Sequence, residues 1–291
     1  MRRFPRPVLA RWPGPGPAFV LDLLRIGANV TSMFPIRDHN PSGRTPFVTY
    51  ALIAINVLVF LSSWQLEGSP RALMNFYAEY ALIPRFLSEG YGFSGLFTSM
   101  FLHGGIMHIA GNMLFLYIFG DNLEEEMGHI GFSLFYVVAG LGAGLIHWLS
   151  APFSLVPTVG ASGAIAGVMG GYLLLFPKAR VDILIILIVF FRVIPVPAWL
   201  MLALWFGMQL FGGWNAPADE GGVAYWAHVG GFVVGLILVI PLWLRRGGPR
   251  FWDRTHGHPP HPEAEYSFER SRVPRTRARK SHTQVPRIRR K

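Results

Sequence analysis

Six mainly apolar stretches, at about 46–64, 98–119, 130–149, 156–176, 197–213 and 224–244, constrain this chain more than any other feature. A helix crossing the hydrocarbon of a bilayer needs roughly 20 such residues, because only the helix itself can satisfy its backbone N–H and C=O groups there. Hydrophobic residues make up 52% of the 291 and charged ones only 14%, too apolar a balance for a soluble domain of this length. The expected fold class is an all-α membrane protein, a bundle of six transmembrane helices. The run from Val181 to Ile194 is apolar as well, but Arg192, Pro195 and Pro197 interrupt any helix through it, so an extended or interfacial lead into the fifth span is expected. The absence of cysteine excludes disulfides, thiolate catalysis and Cys-based zinc sites.

Charge gives the orientation. The net charge is +10, and residues 245–291 hold 14 Lys and Arg against Asp253, Glu263, Glu265 and Glu269. Seven Arg precede the first span, whereas the loops expected on the far side carry only Arg71 and Arg85. The positive-inside rule then places both termini in the cytoplasm of an integral membrane protein, expected in a bacterial inner membrane. Three regions follow: 1–45 as a flexible cytoplasmic segment, 46–244 as the six-span domain, and 245–291 as a basic, disordered cytoplasmic tail. No aromatic interleaving accompanies the arginines, so the tail suits anionic lipid heads and no nucleic-acid partner is expected. Residues 1–32 lack the apolar core of a secretory signal, so the first span is expected to be retained.

Polar side chains inside spans are costly, and three spans carry them at similar depth. Ser162 is expected about a turn inside span four, among Gly160, Gly163 and Gly167. His228 is expected about a turn inside span six, with Gly231 and Gly235 four apart. Small residues at that spacing let helix backbones approach closely. Span two supplies His103, His108 and Asn112, the last two four apart and so on one face. Spans two, four and six run in the same direction, which lets Ser162 and His228 meet as a nucleophile and the base that takes its proton. His108 and Asn112 could point donors at an oxyanion. Taken singly, each residue has a plainer reading: a membrane serine can bond its own helix, a histidine near a helix end can be interfacial, and His-x4-His could hold a metal. With no carboxylate or thiol close by, neither a metal nor any other cofactor is expected. A transporter or channel would also explain six spans with glycine breaks, but not the coplanar Ser, His and Asn.

These elements resemble the rhomboid family of intramembrane serine proteases over roughly residues 33–244. The family's G-x-S-G reads Gly160-Ala161-Ser162-Gly163, its A-H-x-x-G-x-x-x-G reads Ala227-His228 with Gly231 and Gly235, and its H-x4-H-x3-N reads His103, His108 and Asn112. The resemblance implies a six-span rhomboid-like bundle with a Ser162–His228 dyad, an oxyanion hole of Asn112, His108 and the Ser162 backbone N–H, and a structural His103. It implies other membrane proteins as substrates, cut in or near their transmembrane segments. The family's Glu after the second helix falls on Glu124, but the Arg that often follows two residues later is replaced by Glu126. A rhomboid-like pseudoprotease, binding clients without cutting them, would normally lack the Ser or the His.

Overall fold

Helix occupies most of each apolar stretch, but five helices cover the six of them. The computed structural model describes residues 31–262 and 264, apart from 188–189 and 216–221. In chain order it contains β1 (Thr31–Asp38), α1 (Phe47–Ser63), α2 (Pro70–Tyr80), α3 (Pro84–Ser88), α4 (Gly95–Thr98), α5 (Ile106–Ser150), α6 (Ser162–Leu175), β2 (Arg180–Leu187), β3 (Phe190–Pro197), α7 (Ala198–Asn215), α8 (Tyr225–Arg245) and α9 (Pro249–Thr255). α5 takes in the second and third stretches, and breaks at Gly128, where φ is 72° and ψ is 163°. That conformation carries no helical hydrogen bonding and is open to glycine at little cost, so one long helix becomes two that share a corner. Among the described residues, Phe47–Leu66, Ile106–Ser150 and Tyr225–Arg245 are long and apolar enough to cross a membrane. α6, with 14 residues, is shorter than its apolar stretch.

α6 is the axis of the molecule and packs against α5 and α8. Most of its residues are buried, and Tyr172, Leu175 and Phe176 at its far end lie with Phe119, Phe132 and Tyr136 of α5 in one apolar core. The outer faces are apolar too: Leu58, Leu61, Ile130, Leu134, Phe211 and Trp214 are largely exposed. A protein apolar both inside and outside is suited to lipid as its solvent.

The all-α expectation needs one correction. The fold is mainly helical, but β1, β2 and β3 form an antiparallel sheet in that order, with Thr31 opposite Leu187 and Arg180 opposite Pro197. Val, Ile and Phe dominate β2 and β3, and such residues favour strands, while the prolines that forbid a helix sit in β3 on the sheet edge. The β1–β2 register slips between Pro35 and Arg37, where proline has no N–H to offer the ladder.

Two further expectations change. Residues 31–45 are not a loose leader, since β1 joins the sheet and Asp182 of β2 accepts from Arg37 Nε at 2.7 Å and pairs with His39 Nε2 at 2.6 Å. Nor is the basic tail without structure from 245 onward. α9 buries Phe251, packs Trp252 at a tilt against Trp243 with ring centroids 4.9 Å apart, and donates from Trp252 Nε1 to the Leu174 carbonyl at 2.9 Å. His261 then pairs with Glu125 at 2.6 Å. The aromatic content of 251–252 outweighs the charge around it; residues 1–30 and 265–291 lie outside the described residues. Both terminal segments thus close over the end of the bundle where α6 finishes. There, Asp38 accepts from Asn122 Nδ2 at 2.8 Å and from the Tyr172 hydroxyl at 3.3 Å, and burial, with Asp121 beside it, pushes its carboxyl up to about 7.

Candidate active site

Ser162 owes its position to the chain before it. The residues before it stay out of helix: Thr158 pairs with Leu82 in both directions, and the Gly160 N–H donates to the Ser99 carbonyl at 2.9 Å. Gly160 then turns with φ of 133°, a value side chains rarely adopt, and α6 starts at Ser162. The expectation of Ser162 a turn inside the helix is corrected, because Pro157 and Gly160 hold the preceding residues out of it. As the first residue of α6, Ser162 has an N–H with no acceptor inside the helix.

His228 lies in the first turn of α8, and its Nε2 is 2.8 Å from Ser162 Oγ across 66 residues of sequence. The glycines make that approach feasible. A Cβ on Gly231 would collide with the Gly163 carbonyl, one on Gly235 with the Gly167 backbone, and one on Gly163 would come 2.7 Å from Ala143 Cβ. α6 and α8 therefore pack backbone to backbone.

The protons on the two histidines follow from their neighbours. His228 Nδ1 is 2.8 Å from Gln209 Oε1, and an amide oxygen only accepts, so Nδ1 carries the hydrogen and Nε2 offers a lone pair to the Ser162 hydroxyl. His108 is the reverse. The Gly104 N–H donates to its Nδ1 at 3.4 Å, which leaves the hydrogen on Nε2. A Cβ on Gly160 would sit 2.8 Å from that Nε2 and 3.3 Å from Ser162 Oγ, so both atoms border one small space. Asn112, buried one turn along from His108, has its Nδ2 without a partner. His103 is buried as well; its ring stands edge-on to His108 at 5.1 Å between centroids, and neither ring nitrogen is bonded.

Three polar or aromatic groups near the site escape the sequence analysis. Gln209 and Trp205 come from α7, Trp205 lying 5.8 Å from the His228 ring, and His147 Nε2 is 2.8 Å from Thr158 Oγ1. Gln209 could have been found by the rule that selected Ser162, since it is a polar residue in an apolar span. Among the described residues no cluster of three or more His, Asp or Glu could hold a metal ion.

Glu124 does not belong near Ser162. It lies 16 residues along α5 from His108, about 24 Å at 1.5 Å per residue, at the opposite end of the bundle. Its carboxylate accepts from the Val48 and Thr49 N–H groups at 2.8 Å each and from Thr49 Oγ1 at 2.7 Å, and it pairs with His129 at 2.6 Å. It caps α1, whose first turn has no cap of its own because Pro46 precedes it. Glu126, where an Arg was expected, pairs with Arg246 at 2.9 Å, so the cation comes from the end of α8.

The family model for the Rhomboid domain matches residues 91–245. Rhomboid protein 1, mitochondrial, of Saccharomyces cerevisiae is 33% identical over 198 residues, 65% of this chain and 51% of that protein. Rhomboid-like protein 11, chloroplastic, of Arabidopsis thaliana is 47% identical over 70 residues, 24% of this chain and 25% of its own. Rhomboid protease GluP of Bacillus subtilis is 32% identical over 128 residues, 44% and 24% of the two chains. The chain thus spans about half the length of these relatives or less. With more than half of its residues inside the matched domain, this chain belongs to the rhomboid family.

Proposed function

We propose that the protein is an intramembrane serine endopeptidase that cuts other membrane proteins in or near their transmembrane segments. The observation that carries this reading is the 2.8 Å separation of His228 Nε2 from Ser162 Oγ, with the acceptor nitrogen facing the hydroxyl. In the first step Ser162 Oγ bonds to the scissile carbonyl carbon while its proton passes to His228 Nε2. The resulting oxyanion would be met by the Ser162 N–H, by His108 Nε2–H and by the unpartnered Asn112 Nδ2. The tetrahedral intermediate then collapses, the C–N bond breaks, and the leaving amine takes the proton from His228. Water, deprotonated by the same nitrogen, hydrolyses the Ser162 ester and restores the hydroxyl.

We read 46–244 as a six-span catalytic domain, in which α5 crosses twice about its break at Gly128 and the shorter α6 crosses between loops that dip into the bilayer. The basic residues at both ends and the meeting of both terminal segments at one face support a cytoplasmic location for the termini. The membrane proposed is a bacterial inner membrane, in keeping with the Bacillus relative, and the rest of the tail is proposed to lie against anionic lipid. A cavity of about 30 Å³ beside Ser162, between Met100, Ala143 and Gly163, has room for only a small side chain of the substrate. The deciding experiment uses liposomes holding a panel of single-span proteins. Wild-type protein is expected to release the product and Ser162→Ala none; cleavage by folded Ser162→Ala at the wild-type rate would refute the reading.

A further inference from the structure

The only neighbour bonded to the inner nitrogen of His228 among the described residues is Gln209, and nothing about a two-residue dyad requires it. α7 exposes Leu204, Met208, Phe211 and Trp214 and buries Ala198, Met201, Leu202 and Gln209, and among those buried residues Gln209 is the polar one, bonded to His228 of α8. Trp205, four residues earlier and so on the same face, is tilted by 34° against the His228 ring, with centroids 5.8 Å apart. The imidazole is therefore held at its edge by an amide oxygen 2.8 Å from Nδ1 and is flanked by an indole.

We propose that Gln209 is a positioning residue for the reaction, the third member of a Ser162–His228–Gln209 relay. This rests on the protease reading above. An imidazole free to choose between its two neutral forms would spend part of its time with the hydrogen on Nε2, where it cannot accept the serine proton. The Gln209 oxygen selects the competent form and stabilises the imidazolium that appears when Nε2 takes that proton, as an orienting carboxylate does in soluble serine hydrolases. A neutral amide does this without carrying charge at any stage, whereas a carboxylate here would be ionised only as the partner of the imidazolium, because a lone buried anion is costly. Among the described residues, the titratable groups that act on His228 are His108 and His147, both from α5.

The test measures the rate at which a fluorophosphonate labels Ser162 in the full-length protein, as a function of pH. Gln209→Leu keeps the bulk and removes the acceptor, and should slow labelling and cleavage by about 10- to 100-fold, in kcat and not in KM. Gln209→Glu restores an acceptor, should recover labelling, and should move the acid limb of the profile up by about one unit or more, because an anion against the ring favours the charged imidazolium. A role in packing alone would leave that limb in place. Gln209→Leu labelling at the wild-type rate, or Gln209→Glu with an unmoved limb, overturns the proposal. If Gln209→Leu does not fold, the Gln209→Glu profile decides by itself. Wild-type protein that fails to label at Ser162 overturns the protease reading and the relay with it, whereas normal wild-type labelling with an unaffected Gln209→Leu overturns the relay alone.

Discussion

The Gly163 carbonyl occupies the space that a Cβ on Gly231 would need. α6 and α8 cannot lie this close with any larger residue at that crossing, and the same crossing sets Ser162 against His228. Gly231→Ala should therefore lower the melting temperature and slow Ser162 labelling in whatever fraction folds, a misplacement of about 1 Å being worth about 100-fold. Wild-type labelling by the folded variant would show that the dyad does not depend on this contact.

Removing the proposed catalytic groups one at a time should grade their roles. Ser162→Ala and His228→Ala should abolish turnover, since one deletes the attacking atom and the other its proton acceptor. Asn112→Ala removes one donor of several and should cost about 10- to 1000-fold, mainly in kcat. His103→Ala should chiefly lower the melting temperature, because its ring packs on His108. Matched melts in detergent must accompany each assay, and an Asn112→Ala enzyme of full activity would remove that residue from the oxyanion hole.

Gly160 and Gly128 both have positive φ, but their surroundings predict different outcomes. At Gly160 a methyl group would enter the space between His108 and Ser162, so Gly160→Ala should silence labelling. At Gly128 nothing lies within 4 Å of the added carbon, so Gly128→Ala should cost about 1 to 3 kcal/mol of backbone strain and leave the labelling of folded protein intact. Equal losses of labelling in the two variants would contradict this contrast.

Asp38 should make stability depend on pH. Its carboxyl titrates at 3.8 in the unfolded chain and at about 7 in the fold, so between those values the folded protein holds a proton that the unfolded chain has released. Stability from this group is full below 3.8, declines as pH rises, and is lost above 7. Asp38→Asn carries no such proton, and the difference between its melting curve and the wild-type one should change steadily from about pH 5 to 7. A constant difference across that range would show that Asp38 keeps its ordinary acidity.

A chain ending at Arg245 loses the buried Phe251, the Trp243–Trp252 contact and the His261–Glu125 pair, and should melt about 5 °C or more below one ending at residue 264. Coincident melts would mean that α9 contributes nothing.

Much of this architecture is legible in the sequence because length and apolarity are local properties. The apolar runs mark the helices, and the four-residue glycine spacing marks the faces that bring α6 to α8. What was not legible depends on distant partners. Thr31–Asp38 reads as part of a flexible segment until Leu187 and its neighbours lie opposite it. Phe251 and Trp252 sit in a basic segment whose charge conceals their burial. The start of α6 depends on Leu82 and Ser99 holding Thr158 and Gly160 out of helix. At the site, Ser162, His228, His108 and Asn112 stood out as polar residues in apolar spans. Gln209 has the same signature, but its bearing on His228 exists only once α7 stands beside α8.

The cap that Glu124 places on α1 has a consequence for biogenesis. α1 is made before α5, yet the carboxylate that satisfies its opening turn belongs to a residue 75 positions after Thr49. Until α5 is made and docked, the Val48 and Thr49 amides must rely on water at the membrane surface, and a helix with open donors at one end is held less firmly in register. The cap of α1 and the packing of α5 are thereby chemically linked, because the hydrogen bonds that finish the first turn of one helix form only when the other has docked against it.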